Sequence, residues 1–307
     1  MKRITTPLVL GLTALGAASA LGQVQTLLNH DFGPGVRDNQ DLPNSSIWYK
    51  GGGSAVELNA SPGQLVFVRP ESGSQLIGTN FVANTAGYTL AVGEAIVMRY
   101  TFSADAVGTP AFNTDNRMGL FSYAAAPSFR PGEDIGSANG PGGGAGTPVT
   151  GYMINFHVSS ALDASPFDIR KRTDIEQANL LSSLGHFTSL SKATDLEADG
   201  GLLSDQVYTI EFSIARTGAG EATLTASYLD SALNLLAQVS AVDNSSPYFT
   251  YDAFLYRAAN NPSKGGAHTI TGFSVEVIPE PSTYAAIFGV IALAAVVFIR
   301  RRRTTAA

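Results

Sequence analysis

The chain has 307 residues, 44% of them hydrophobic and only 14% charged, with a formal net charge of −6. Residues 21–278 are more acidic still, carrying 13 Lys and Arg against 24 Asp and Glu, and such a domain repels nucleic acid and anionic membrane surfaces. The chain contains no cysteine, which excludes disulfides, thiolate metal sites and cysteine nucleophiles.

The first twenty residues have the pattern of a secretory signal peptide. Lys2 and Arg3 form a positive n-region, residues 8–17 form an apolar h-region, and Ala18-Ser19-Ala20 is a small-residue cleavage site. We expect cleavage after Ala20, with a cut after Gly22 as the alternative. The sequence therefore predicts export, with residues 21–278 as the mature domain.

Three segments, residues 94–103, 151–158 and 206–214, alternate apolar and polar side chains with the period of two that is typical of a strand with one buried face. The side chains predicted to face inward are Ile96, Met98, Tyr100, Phe102, Tyr152, Ile154, Phe156, Val158, Tyr208, Ile210, Phe212 and Ile214. A turn at residues 216–221 leads from the third segment into a further alternation at Ala222, Leu224, Ala226 and Tyr228, which predicts a β-hairpin.

Further strands are predicted at residues 47–50, 55–58, 65–68, 75–81, 88–92, 118–123, 167–170, 185–190, 235–240, 251–257 and 268–277. At most one helical turn is expected, near residues 175–181. Many short strands separated by Gly, Pro, Asn and Asp predict an all-β fold, a two-sheet antiparallel sandwich or jelly roll in one domain, with polar outward faces.

Polar side chains on the outward faces of three of these strands are candidate ligand-binding residues: Arg99, Thr101, Asn155, His157, Thr209 and Glu211. If the three strands share one sheet, the six side chains converge on one face, where donors and acceptors on a rigid surface suit sugar hydroxyls. We hypothesise a shallow glycan site there. The alternative is an ordinary solvated sheet face.

The segment Asp195-Leu-Glu197-Ala-Asp199-Gly200 is the one metal-like pattern. Oxygen ligands at alternate positions followed by Gly suit a calcium loop, but Glu197 stands where Asp or Asn is usual, and Gln206 stands where a bidentate Glu is expected. The alternative is an acidic turn before the next strand, so no cofactor is predicted, with calcium as the open case. The single tryptophan, Trp48, is either a sugar-stacking platform or a packing residue.

Signals for catalysis are mostly missing from the sequence. It has neither a Gly-x-Ser-x-Gly elbow nor a His-Glu-x-x-His pattern, and His30, His157, His186 and His268 lack metal-ligand spacing. Glycoside hydrolysis needs two carboxylates that flank the scissile bond. Asp174-Ile-Glu176 is the nearest approach to the strand pattern of laminarinase-type jelly rolls, and it fails to match, so a solvated loop is the alternative. We expect no enzymatic activity, with a polysaccharide-active hydrolase or lyase as the alternative.

The C-terminus combines three features in order: Pro279-Glu280-Pro281, an apolar run at residues 284–299, and Arg300, Arg301, Arg302 and Arg303. Proline cannot continue a strand ladder or a helix, so the two prolines end the folded domain. A helix over residues 282–299 would reach about 27 Å, close to the roughly 30 Å of bilayer hydrocarbon. By the positive-inside rule the arginines hold this end in the cytoplasm, so the rest of the chain faces outward.

This tail resembles the PEP-CTERM sorting signal of bacterial surface and exopolysaccharide-associated proteins. The resemblance covers residues 277–303 and implies recognition by a membrane-embedded cysteine transpeptidase, an exosortase, which cuts near the Pro-Glu-Pro motif. It implies an inner-membrane-anchored precursor that is later released to the cell surface or matrix. An ordinary single-span anchor is the alternative.

The domain itself looks like the concanavalin-A/LamG-type jelly rolls of surface proteins. The resemblance rests on Trp48-Tyr49-Lys50, the hairpin after residue 208, and the closing segments 251–257 and 269–277. It implies a non-catalytic module that binds extracellular polysaccharide or serves structurally in a matrix. A fibronectin-like or other sandwich remains open.

Overall fold

The computed structural model describes residues 23–51, 57–68, 75–105, 116–125, 127–134, 148–158, 167–175, 181, 184–193, 201–258 and 267–279. The predicted signal peptide, the calcium candidate (Asp195, Glu197 and Asp199), Glu176, and the tail from Glu280 onward, including Pro281 and Arg300–Arg303, lie outside these residues.

The described residues form seventeen strands. In chain order they are β1 (Gln25–His30), β2 (Trp48–Gly51), β3 (Glu57–Ser61), β4 (Gln64–Val68), β5 (Gln75–Asn80), β6 (Tyr88–Thr89), β7 (Glu94–Ala104), β8 (Asn116–Ser122), β9 (Thr150–Phe156), β10 (Phe167–Arg172), β11 (Phe187–Lys192), β12 (Val207–Gly218), β13 (Glu221–Leu229), β14 (Leu235–Asp243), β15 (Thr250–Tyr251), β16 (Ala253–Ala258) and β17 (His268–Pro279).

The strands build an antiparallel sandwich of two sheets, as predicted. The first sheet has eight strands in the order β14-β13-β12-β7-β17-β4-β3, with β1 also pairing with β17. The second has seven strands in the order β11-β10-β9-β8-β16-β5-β2, and β6 pairs with β15 as a separate small ribbon. Helical structure in the described residues is limited to two single 3₁₀ turns, Pro127–Phe129 and Leu184–His186, and none of it is long and apolar enough to cross a membrane.

The main core lies between the two sheets and is formed by the side chains that the period-two pattern placed inward. All twelve are buried, eleven of them completely, and the predicted hairpin is β12–β13. Aromatic rings from the two sheets contact each other across this core: Tyr100 packs on Phe254 and Phe67 on Tyr256. Because apolar rings from both sheets meet there, hydrophobic burial joins the sheets.

The outward face of the second sheet is covered, which corrects the prediction of polar, wetted outer faces on both sheets. Met153, predicted to point outward, is fully buried in a second apolar cluster with Phe121, Leu181, Phe187 and Leu255. The chain around Leu181 and Phe187 packs over this face and removes it from water. Alternation identified the two faces of β9 correctly but could not show that a later segment covers one of them.

Candidate functional site

Four of the six predicted ligand residues lie together on the outer face of the first sheet. Arg99 pairs with Glu211, and Thr101 with Thr209, directly across β7 and β12. The Arg99 guanidinium contacts Oε2 of Glu211 and Oε2 of Glu276 at 2.8 Å each, and the two threonine hydroxyls are 3.0 Å apart. These polar groups therefore bond mainly to one another across the strands, which leaves less capacity for a ligand.

Asn155 and His157 do not join this group, contrary to the expectation that six side chains share one face. β9 belongs to the second sheet, so Asn155 lies opposite Arg117 and Asp168 there, on the other side of the sandwich from Arg99. His157 follows the end of β9, and its carbonyl accepts a hydrogen bond from the Tyr228 hydroxyl. Alternation shows which way a side chain points within its strand, but not which sheet the strand joins.

Trp48 is a core residue rather than a sugar platform. It is completely buried, contacts the rings of Phe32, Phe254 and Phe273, and donates its indole N–H to Nδ1 of His30 at 3.2 Å. A ring with no exposed face cannot stack on a ligand, so the packing interpretation is the one that the structure supports.

Two further predicted positions lie at strand ends. Asp174, from the incomplete carboxylate pattern, contacts the ring of His186 at 3.3 Å. Pro279, the first proline of the predicted sorting motif, is the last residue of β17 and lies opposite Glu94. The motif thus begins where strand pairing ends.

A cleft of about 290 Å³ opens beside the ends of β2 and β5. It is lined by Gln40, Ile47, Tyr49, Asn80, Val82, Ala83 and Arg130. We call it the Tyr49–Arg130 cleft. Its volume is near the lower limit of about 300 Å³ for small-molecule sites, so it suits a ligand the size of one sugar ring.

Alternation along β2 explains how Tyr49 reaches this cleft. Trp48 points into the core, so its neighbour Tyr49 must point to the opposite face of the second sheet. Its position is set by strand geometry, and Tyr49 is 9% exposed, so it offers the cleft a small part of its surface on a rigid support.

Backbone hydrogen bonds hold the other polar groups of the cleft in place. Arg130, directly after the 3₁₀ turn, donates from Nη1 to the carbonyl of Ala83 at 3.3 Å and from Nη2 to the carbonyl of Val82. Asn80, at the end of β5, donates from Nδ2 to the carbonyl of Pro131 at 2.8 Å. These bonds tie the loop at residues 127–134 to the end of β5 and fix the geometry of the cleft.

Asp252 is a buried carboxyl beside Arg130, behind the lining of the cleft. Its Oδ2 is 3.6 Å from Nε of Arg130, and its Oδ1 accepts a hydrogen bond from the backbone N–H of Tyr123 at 3.1 Å. The carboxyl is fully buried, and desolvation raises its pKa to about 6. Burial also lowers the pKa of Arg130 and raises that of Tyr49.

Two buried polar atoms of the residues that line the cleft lack a hydrogen-bond partner among the described residues, Nε of Arg130 and Oδ1 of Asn80. Oδ1 of Asn80 is buried and accepts no hydrogen bond. A buried acceptor without a donor costs free energy, about 1–3 kcal/mol, unless water or a ligand supplies one. Asn80 is therefore the residue of the cleft best suited to receive a hydroxyl donor.

Sequence reasoning did not find this cleft, because its residues come from separate parts of the chain. Gln40, Tyr49, Asn80 and Arg130 share no motif or spacing. The one signal in the sequence was the adjacent pair Trp48 and Tyr49. Neighbouring side chains of a strand point to opposite faces, so a Trp48 ring in the core places the Tyr49 ring on the other face of the sheet. The described residues contain no group of three or more His, Asp or Glu side chains arranged to hold a metal ion.

Solved structures with a similar backbone include several lectins. A peanut lectin with a 9mer peptide is 10% identical, with a TM-score of 0.46 over 83% of this chain and 97% of that chain. Lectin I from Ulex europaeus, in complex with the methyl glycoside of α-L-fucose, is 11% identical, with a TM-score of 0.47 over 84% and 98%. A Bacillus subtilis protein of unknown function with a galectin-like fold is 13% identical, with a TM-score of 0.46 over 85% and 100%.

No protein-family model matches the chain, and no curated protein matches its sequence. At TM-scores below 0.5, the similarities to solved structures assign neither a ligand nor an activity to this chain. Its function is therefore inferred from the side chains of the cleft.

Proposed function

We propose that this protein is an exported surface protein whose β-sandwich binds a glycan, without catalysis, in the Tyr49–Arg130 cleft. The observation that carries the proposal is the cleft itself, in which an aromatic ring stands beside amide and guanidinium groups held in place by hydrogen bonds. Sugars present apolar C–H faces and a fringe of hydroxyls. An aromatic side chain with planar donors and acceptors beside it complements both.

The carboxylate geometry supports binding rather than hydrolysis. Glycosidases place two carboxyl groups on either side of the scissile bond, about 5–9.5 Å apart. In the cleft Asp252 is fully buried beneath Arg130, and no carboxylate is among the residues that line the cleft in the described part of the chain. The hydrolase or lyase alternative would need a carboxylate pair that the lining residues do not supply.

Export and sorting are part of the same proposal. The signal peptide at residues 1–20, the Pro279-Glu280-Pro281 motif, the apolar run and the arginine cluster support a precursor anchored by a helix at residues 282–299 and processed by an exosortase. Gln25 pairs with Val277, so the start of the mature domain lies next to the start of the tail. This pairing supports a domain that is held close to its membrane anchor.

A glycan array probed with the purified full-length chain tests the binding proposal. We expect retention of a subset of glycans by the wild type and its loss in Tyr49→Ala, which removes the aromatic ring from the cleft. Arg99→Gln is the matched control, because it changes a polar residue on the outer face of the other sheet and should leave retention unchanged. Reducing-sugar release from the retained glycans should stay at background.

The same experiment distinguishes the two candidate surfaces. Loss of retention in Arg99→Gln, with Tyr49→Ala unaffected, would move the site to the four-residue face of Arg99, Thr101, Thr209 and Glu211. Retention of no glycan by a folded wild-type protein would contradict glycan binding altogether. Steady release of reducing ends would favour the hydrolase alternative instead.

A further inference from the structure

The chemistry of the cleft indicates what kind of sugar it takes, an inference that rests on the proposed glycan-binding function. We propose that the ligand is an anionic sugar, a hexuronate residue of an acidic polysaccharide, bound through the local charge of Arg130 although the domain as a whole is acidic, and that the cleft holds it more tightly in mildly acidic solution than at neutral pH.

Arg130 is the cationic side chain among the described residues that line the cleft. A guanidinium has five N–H bonds. Here one is donated to the carbonyl of Ala83, one to the carbonyl of Val82, and the Nε–H faces Asp252. Two N–H bonds remain on the terminal nitrogens, and a carboxylate is the group that a guanidinium binds most strongly.

Asp252 competes with a bound carboxylate for the charge of Arg130. The distance of 3.6 Å between Nε and Oδ2 is too long for a hydrogen bond, so the two groups attract each other without a direct bond. When Asp252 is ionised it neutralises Arg130 and repels a second carboxylate. When Asp252 is protonated, it no longer neutralises Arg130, and the positive charge of Arg130 can attract the carboxylate of the ligand.

Four charged or titratable groups beside Asp252 or the cleft, Tyr123, Arg172, Tyr49 and Asp134, keep their charge between pH 5.0 and 7.5. Tyr123, whose backbone holds Asp252, has its pKa raised by burial, and Arg172 beside it stays cationic. On the cleft side, Tyr49 has a raised pKa and stays neutral. Asp134 forms a two-pronged ion pair with Arg37, and its pKa is lowered, so it stays ionised.

The direction of the pH effect follows from these charges. Desolvation raises the pKa of Asp252 to about 6, whereas a free sugar carboxyl, like an α-carboxyl, ionises near pH 3.5. Between pH 7.5 and pH 5.0 the cleft therefore gains one positive charge while the ligand keeps its negative charge. The carboxyl of Asp252 and the carboxylate of the ligand would both lie within a few ångströms of the Arg130 guanidinium. Neutralising Asp252 should therefore raise the affinity for the acid on the order of tenfold.

Isothermal titration calorimetry on the full-length chain tests this inference directly. The probes are trimers of galacturonate, glucuronate, mannuronate and guluronate at pH 5.0 and 7.5, each compared with its methyl ester, which keeps the sugar and removes the charge. We expect at least one acid to bind about tenfold more tightly at pH 5.0, with its ester weaker and independent of pH.

Variants assign the effect to residues. Asp252→Asn should bind the acid at pH 7.5 as tightly as the wild type does at pH 5.0. Arg130→Gln should lose the preference of the acid over the ester. Lys192→Gln, which removes an exposed cation at the opposite edge of the second sheet from β2, should behave as wild type. Should the Asp252 variant fail to fold, wild-type titrations near pH 6.5 in two buffers of different ionisation enthalpy must show net proton uptake on binding.

The anionic inference would be overturned if esters and acids bind with equal affinity at both pH values. If Tyr49→Ala also abolishes that binding, the proposal of glycan binding in the cleft still stands. Acid binding without proton uptake would refute the role of Asp252. Failure of all four acids to bind at pH 5.0, with neutral glycans retained on the array, would likewise refute the anionic ligand alone. If no sugar binds under any condition, both proposals fail together.

Discussion

The contribution of Asp252 to the stability of the protein should fall as pH rises from about 4 to about 6. The carboxyl ionises at about 3.8 in the unfolded chain and at about 6 in the fold, where burial disfavours the charge. Within that range the folded state binds more protons, so the free energy of unfolding decreases with pH. A difference of about 2.2 pKa units at 1.36 kcal/mol each gives a loss of about 3 kcal/mol.

Asp252→Asn removes this dependence and keeps the acceptor that receives the Tyr123 N–H. Its amide will also face Nε of Arg130, which costs stability equally at every pH. The expected result is therefore a difference in slope. From pH 4 to pH 7 the free energy of unfolding of the variant should rise relative to that of the wild type by about 2.4 kcal/mol. Urea unfolding can be followed by the fluorescence of Trp48, the single tryptophan and a fully buried one.

Asp134→Asn is the informative comparison, because the pKa of Asp134 is shifted in the opposite direction. Its contacts with Arg37 and the backbone N–H of Lys50 lower that pKa, so its contribution is present above about pH 3.8 and lost in stronger acid. The variant should match the wild-type slope between pH 5 and 7. Parallel curves for wild type and Asp252→Asn over pH 4 to 7 would refute the reasoning.

Three further predictions concern the core, a strand contact and the tail. Trp48→Ala should cost about 3–5 kcal/mol in urea unfolding followed by far-UV circular dichroism, because it empties a fully buried aromatic site. Gly119→Ala should prevent folding, since the added Cβ would lie 2.2 Å from the carbonyl oxygen of Tyr152. Gly220→Ala, with nothing within 4 Å, should change stability by less than about 1 kcal/mol by the same measurement. In a host with the matching exosortase, intact mass of the surface form should show that Arg300–Arg303 are gone; their retention would contradict sorting by the tail.

The strand faces could be read from the sequence because they depend on local geometry. Ile96, Met98, Tyr100 and Phe102 occupy alternate positions of β7, and all four are completely buried. Successive side chains in a strand point to opposite sides whatever the strand pairs with. The hairpin β12–β13 was equally accessible, because its turn and both its strands are contiguous in the chain.

Strand boundaries were harder to predict from the sequence than strand faces. β1 has no counterpart among the predicted strands, and the segment predicted at residues 251–257 is divided at Asp252 into β15 and β16, which join different sheets. The interruption at Asp252 is stabilised by partners distant in sequence, such as the carbonyl of Phe121, which accepts its N–H. Local pattern carries no information about such partners.

By itself, then, the sequence determined the all-β class and the alternation of inward and outward faces, whereas the leader, the sorting tail and export stay predictions. Tertiary structure decided that Asn155 and Arg99 lie on different sheets and that Met153 is covered. It also decided that Tyr49, Asn80 and Arg130 line one cleft and that Asp252 lies beside Arg130. The physical reason is the separation along the chain of the residues that set each property. Alternation is set by the backbone of a single strand, whereas sheet membership, burial of an outer face and the pKa of a carboxyl depend on which distant segments pack together.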